Sequence, residues 1–294
     1  MATFTVGLAE PVDLLGSLEV FRRPGDDLID RRIDDNLIRT APTVDGFTPY
    51  LIPLPGPGLH DHLSVVVDRA RDRDLVEYTV SRLFVAAPAE YQDLVARDKV
   101  LARLHAEHPC IRPVLQHDLF TALVRSISAQ QINLRWASTI RARLAERYGD
   151  RHEVAGQSVY SLNASRIAEA DRLDIRALQF TLRKAESVIG VAQEIAGGLL
   201  TLEDLRRLPD DEVIPRLTRL KGVGVWSAEW ILARTLGRPR VVAGDLGVRK
   251  AVGRAYLDGQ MPSESEVREL TAHWGTSATI AQALVLHAMA VGTT

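Results

Sequence analysis

Two textures of hydrophobic and polar positions divide this chain. Up to about residue 90 the apolar residues come in short alternating or β-branched runs, namely Phe4-Thr5-Val6-Gly7-Leu8, Leu37-Ile38-Arg39-Thr40, Tyr50-Leu51-Ile52-Pro53-Leu54 and Leu63-Ser64-Val65-Val66-Val67. Turn formers such as Pro24-Gly25-Asp26-Asp27 and Pro55-Gly56-Pro57-Gly58 separate them. This pattern predicts an antiparallel sheet with a helix over about Leu75 to Phe84. From about Glu90 the period lengthens to that of a helix. Phe120, Leu123, Val124 and Ile127 recur at i, i+3, i+4 and i+7, one face of a helix opening near Asp118. Similar spacing predicts helices near 133–148, 165–171, 181–196, 203–207, 210–219, 225–236, 246–257, 264–274 and 279–290. Breaks are expected at Gly149-Asp150, Gly197-Gly198, Gly237-Arg238-Pro239 and Gly259 to Pro262. No internal repeat is visible, which argues against a solenoid. The fold class expected is α+β, a small sheet domain followed by a mostly α-helical body.

Composition narrows the function class by exclusion. With 46% hydrophobic and 25% charged residues in 294, the chain is neither disordered, collagenous nor coiled-coil. No window approaches the roughly 18 apolar residues that cross a bilayer, so no membrane association is expected. Met1 to Val20 carries Glu10 and Asp13 and no basic cluster before an apolar stretch, unlike a secretory leader. Cys110 is the single cysteine, which excludes an internal disulfide and a four-cysteine zinc or iron–sulfur site. These features lead us to expect a cytoplasmic protein. Net charge is −2, yet between Arg219 and Arg254 eight basic residues face only Glu229 and Asp245. That window carries +6 and leaves −8 for the remainder, which suits a face for a polyanion.

The basic window begins with Leu220-Lys221-Gly222-Val223-Gly224-Val225-Trp226-Ser227-Ala228. Gly222 and Gly224 flank one apolar residue and allow backbone angles closed to other residues, so a tight turn is expected between two helices. Val223 should tuck inward. The turn then presents free amides at the start of the next helix, where the helix dipole favours an anion such as phosphate. About 20 residues on, Asp245 stands at an expected helix start. A carboxylate there is an ordinary N-cap, and amides that favour an anion make capping compatible with a chemical role.

The hairpin, the Gly-Arg-Pro break and the stretch Val241-Val242-Ala243-Gly244-Asp245-Leu246-Gly247-Val248-Arg249 together resemble the helix–hairpin–helix DNA glycosylase superfamily. Within it the chain is most similar to the 3-methyladenine DNA glycosylase II family. Ser81-Arg82-Leu83-Phe84 and Arg125-Ser126-Ile127-Ser128-Ala129-Gln130-Gln131-Ile132 extend the resemblance over most of the chain. It implies an N-terminal antiparallel α/β domain like half of a TATA-binding saddle, over 1–95. It also implies one helical subdomain over 118–238 carrying the hairpin, and another over 96–117 and 239–294 carrying the aspartate, with a cleft between.

The resemblance assigns Asp245 as the catalytic carboxylate. It places Trp226, Trp230 and Gln130 at the base pocket and makes Gln131 the wedge that fills the gap left by a flipped nucleotide. Gly222, Val223, Gly224, Lys221 and Ser227 would grip the DNA backbone. Main-chain carbonyls of Thr218, Leu220 and Val223 would hold a monovalent cation, Na or K, the sole cofactor implied. Bifunctional members carry a lysine where this chain has Trp226, so water is the expected nucleophile and an abasic site the product. The implied partner is double-stranded DNA with a damaged base, bound by a monomer, in the nucleoid if the host is a bacterium. Glu229 is expected at the surface. The family's last helix opens with Trp-x-Pro-x-Arg-Ser and later carries an aromatic, whereas this chain has Trp274-Gly275-Thr276-Ser277 and then Leu286-His287. That departure leaves open a glycosylase for oxidised or deaminated bases. A non-catalytic DNA-shape-binding protein that keeps only the hairpin is the alternative from another class.

Overall fold

The computed structural model describes residues 1–22, 25–44 and 46–293. Its first part is a five-stranded sheet made by β1 (Ala2–Asp13), β2 (Arg31–Ile33), β3 (Asn36–Thr43), β4 (Gly46–Pro53) and β5 (Leu59–Val67), with two short helical turns, α1 (Leu14–Ser17) and α2 (Glu19–Arg22), after β1. The order is β1-β5-β4-β3-β2 and the paired strands are antiparallel. The sheet expected from the alternating runs is therefore present, while Pro24 of one expected turn lies outside the described residues. Helix α3 (Arg73–Ser81) closes one face, where Val76 and Val80 pack on Leu37, Tyr50, Ile52, Leu63 and Val65.

The helical body follows as α4 (Tyr91–Arg97), α5 (Lys99–Glu107), α6 (Leu119–Ala129) and α7 (Leu134–Tyr148), then strands β6 (Gly149–Val154) and β7 (Gln157–Leu162), then α8 (Ala164–Ala168), α9 (Arg172–Ala177), α10 (Leu182–Ala196), α11 (Leu202–Arg207), α12 (Asp210–Thr218), α13 (Val225–Arg234), α14 (Leu246–Tyr256), α15 (Glu264–Thr271) and α16 (Ala278–Val291). One core gathers apolar residues of α6 to α13, from Leu123 and Ile127 to Ile231 and Leu232. A second joins Leu101 and Leu104 of α5 to Val248 and Val252 of α14 and Leu284 and Val285 of α16. Among the described residues no helix is long and apolar enough to cross a membrane.

Helix α6 and the segment after α7 depart from the sequence reading, and α9 is not among the helices it placed. Helix α6 opens where expected, with Asp118 accepting the Thr121 amide at 2.8 Å, yet it is buried nearly all round rather than on one face. It is the central helix of the body. At Gly149-Asp150 the helix breaks as expected, and the chain then makes the β6–β7 hairpin, which was not expected. Its turn residues, Ala155 and Gly156, have φ of 49° and 75°, as a tight two-residue hairpin requires. The alternation there is short and mostly polar, so only Val154 and Val159 betray it. Those two cover the second face of the N-terminal sheet, against Ile38, Leu51 and Val66.

Charge also fastens the sheet domain to the body. Asp30 accepts Arg39 Nε at 2.6 Å, Arg125 Nη2 at 2.8 Å and Gln116 Nε2 at 2.8 Å. Asp27 meets Arg125 and, at 2.9 Å, Arg141 Nε. Burial by itself would raise the Asp30 pKa, but Arg39 and Arg125 outweigh it and hold the carboxyl below its usual range. A depressed carboxyl adds stability at neutral pH that disappears as pH falls through its folded value. Asp30→Ala leaves Arg39 buried without its anion and should cost about 3–5 kcal/mol. Denaturant titration measures this, and the loss relative to wild type should shrink as the pH drops below the ordinary aspartate range.

Candidate functional site

Helices α12 and α13 meet in the turn Leu220-Lys221-Gly222-Val223-Gly224. Val223 is buried, as its apolar side chain dictates, and its amide closes the turn on the Leu220 carbonyl at 3.1 Å. Gly222 has φ of +80°, and a Cβ there would fall 2.1 Å from Ser187 Oγ of α10. Conformation and close approach both demand glycine. Gly224 is different, since its φ of −97° is open to any residue. The expectation of a special backbone angle is therefore corrected at this position. What Gly224 provides is room, because a Cβ there would meet nothing within 4 Å. It is also the N-cap of α13 and supplies no side-chain cap, so the first amides of that helix have no side-chain acceptor from it.

Lys221 is exposed beside the turn and pairs with Glu186 at 2.6 Å. Ser227 is corrected as a backbone-gripping side chain. It occupies the third position of α13, facing inward next to Ala228, and both are fully enclosed, so its hydroxyl has no surface to offer. Glu229 is likewise not at the surface. It is 2% exposed and bound to Arg268 Nη1 of α15 at 3.0 Å, so it lies under cover between α13 and α15.

The hairpin and Asp245 converge through an indole. Asp245 caps α14, with Oδ1 accepting the Val248 amide at 3.0 Å and Oδ2 accepting Trp226 Nε1 at 2.9 Å. The carboxylate is half-buried. Both of its oxygens are thereby oriented, one by a helix start and one by the helix that follows the turn. Trp230, one turn further along α13, is also half-buried and has the Arg234 guanidinium over its ring at 5.8 Å. Burial pushes the Arg234 pKa down to about 10.

Gln130 and Gln131 end α6 beside the same turn. Gln131 is exposed with φ of 56°, a left-handed conformation that thrusts it out of the helix path. Gln130 Nε2 donates to the Gly222 carbonyl at 2.9 Å, so its amide faces the hairpin.

Sequence reasoning did not single out the residues that hold the aspartate's approach. Gln282 of α16 is 1% exposed, and its Oε1 accepts the Val242 amide at 2.7 Å. Thr279 Oγ1 accepts the Arg240 amide at 3.0 Å and donates to the Arg238 carbonyl at 2.7 Å. The available signal was a lone amide inside an apolar helix, which must find a partner when buried. Among the described residues no group of three or more His, Cys, Asp or Glu is placed to hold a metal ion.

Comparison with known proteins places this geometry. The family model described as HhH-GPD superfamily base excision DNA repair protein matches residues 124–276, just over half of the chain. YfjP of Bacillus subtilis (strain 168), which bears a provisional name as a DNA-3-methyladenine glycosylase, is 30% identical over 175 residues, 59% of this chain and 60% of its own length. A second protein of that organism, named DNA-3-methyladenine glycosylase, is 29% identical over 159 residues, 53% of this chain and 52% of its own. The chain thus spans between half and two thirds of these relatives. The solved structure of 3-methyladenine DNA-glycosylase from Archaeoglobus fulgidus shares the fold, with a TM-score of 0.85, 23% identity and coverage of 99% of this chain and 100% of that one. By the family match, which takes in the hairpin, the aspartate and both tryptophans, the chain belongs to the HhH-GPD superfamily of base excision DNA repair proteins.

Proposed function

We propose that the protein is a monofunctional DNA glycosylase that flips an alkylated purine of the 3-methyladenine type out of duplex DNA and hydrolyses its N-glycosidic bond. The observation that carries this reading is the Asp245 carboxylate, half-buried and fixed by Val248 N and Trp226 Nε1 next to a turn with an open Gly224. As the bond to the base breaks, positive charge grows on the sugar. A fixed anion nearby stabilises that state and orients the attacking water. Water adds to the sugar carbon, and the base leaves with the electron pair of the broken bond. An alkylated purine already carries positive charge, so it leaves neutral without a general acid. The Trp226 ring supplies a π-face for such a base.

The rest of the site has supporting parts. Phosphate would sit in the space beside Gly224, on the α13 amides. Gln131, thrust outward, would occupy the gap in the base stack. The carbonyls of Thr218, Leu220 and Val223 are neutral oxygen donors with two lone pairs each, so Leu220, which accepts the Val223 amide, keeps one to spare. They fit a monovalent cation, which would steady the turn against the phosphate. With Trp226 in place of an amine, no covalent sugar adduct forms, and one protein copy suffices for one lesion. The names of the curated relatives support the choice of alkylated purines.

Asp245→Asn should lower release of methylated purines from duplex DNA by roughly 100-fold or more. Chromatography of the freed bases measures it, and equal, undetectable release by both proteins would leave only a DNA-binding role. Wild type should yield no borohydride-trapped protein–DNA adduct, and one on a denaturing gel would refute water as nucleophile. Gly224→Asp, which puts a carboxylate where phosphate is expected, should weaken duplex binding by roughly tenfold with the melting temperature unchanged. Unaltered binding in a salt titration would remove the phosphate assignment.

A further inference from the structure

Lysine 184 of α10 is a cation spent on no anion. It is 8% exposed, and among the described residues no carboxylate lies within ion-pairing reach of it. Its Nζ donates instead to two main-chain carbonyls, Ser128 at 2.8 Å and Gln130 at 2.7 Å. These belong to the C-terminal end of α6, where carbonyls lack helical partners and the dipole welcomes a cation. Burial pulls the lysine's pKa below its ordinary value. Gln130, gripped by its carbonyl, extends its side-chain amide to the Gly222 carbonyl at 2.9 Å. Gly222 in turn lies hard against Ser187, one turn along α10 from Lys184. The end of α6 and the glycine turn are therefore mounted on one helix and bolted to each other.

We propose that Lys184 and Gln130 are positioning residues that couple the outward thrust of Gln131 to the hairpin's hold on the DNA backbone. The inference rests on the reading of Gln131 as the wedge and of the turn as the phosphate grip. Lys184 fixes the last carbonyls of α6 so that the chain leaves the helix at Gln130 and enters the left-handed conformation at Gln131. Gln130 ties that exit to the turn, so the wedge stands at a set distance from the bound phosphate. Without the tie, the hairpin still binds duplex but the wedge is no longer presented in register with it.

The test uses the full chain with Gln131→Ala, Lys184→Met, Lys184→Arg, Gln130→Leu and the Lys184→Met/Gln130→Leu double variant. Binding is measured to undamaged duplex and to duplex holding a tetrahydrofuran abasic analogue, with 2-aminopurine beside the analogue to report unstacking. Lys184→Met and Gln130→Leu should each lose roughly tenfold of the preference for the abasic duplex over the undamaged one, and most of the fluorescence rise. The double variant should lose no more than the worse single one, because both act on the same loop. Lys184→Arg, which keeps the cation, should recover part of the loss. If Gln131→Ala loses the preference while both single variants keep it, the coupling is wrong. Equal weakening on both duplexes, or additive losses in the double variant, would also overturn it and reduce the two residues to fold support. Gln130→Leu alters a half-buried loop side chain, so it reads out even if Lys184→Met fails to fold. If wild type shows no preference for the abasic duplex, the wedge reading itself has failed, a result distinct from failure of the coupling.

Discussion

A carboxylate can stabilise a growing cation only if it is already aimed when the charge appears, and the role proposed for Asp245 rests on an aim that comes from two directions. One oxygen is held by the amide of Val248 and the other by the indole of Trp226. Those donors belong to different helices. The site is therefore only as well formed as the packing between α13 and α14. Much of the surrounding structure fixes that relation. Thr279 and Gln282 pin the strand-like approach 238–242 to α16. Gly253 lets the far end of α14 press on its neighbour, since a Cβ there would stand 2.1 Å from the Gln260 carbonyl. Misplacing a charge by about an ångström can cost as much rate as deleting a contact, which is why such supports matter far from the reacting atoms.

Local features were legible in the sequence, and paired features were not. The Asp118 and Asp245 caps, the apolar spacing in α6 and the Gly-Val-Gly turn each declare themselves within a few residues. The Trp226–Asp245 bond spans nineteen positions, and only a family resemblance brought its two ends into one discussion. Nothing in the neighbourhood of Lys184 or Gln282 says which distant carbonyl or amide will take it. The same limit explains Ser227 and Glu229. Both are polar residues in an otherwise apolar stretch, and their burial is decided by what α13 packs against, the body for Ser227 and α15 for Glu229. Gly224 shows a subtler limit. A glycine signals either an unusual backbone angle or an empty space, and the sequence does not say which.

Charge plays opposite parts in two places. At the seam between the sheet domain and the body, Asp27 and Asp30 meet Arg39, Arg125 and Arg141 largely under cover from water, so each carboxylate has two guanidinium partners within the protein. Such groups fix one arrangement of the two parts, since any other would strand a buried ion. At the hairpin, Lys221 and Glu186 stay in solvent, where their pairing is easily exchanged for another anion.

The β6–β7 hairpin has a consequence for how the molecule could be cut. Val154 and Val159 rest on the back of the N-terminal sheet, while Arg125 and Arg141 take their counter-ions from the loop before β2. A fragment beginning after the sheet would keep every residue of the proposed chemistry. It would also bare an apolar patch and leave two guanidinium groups without anions, a surface prone to self-association. The leading domain is therefore a structural dependency of the helical body.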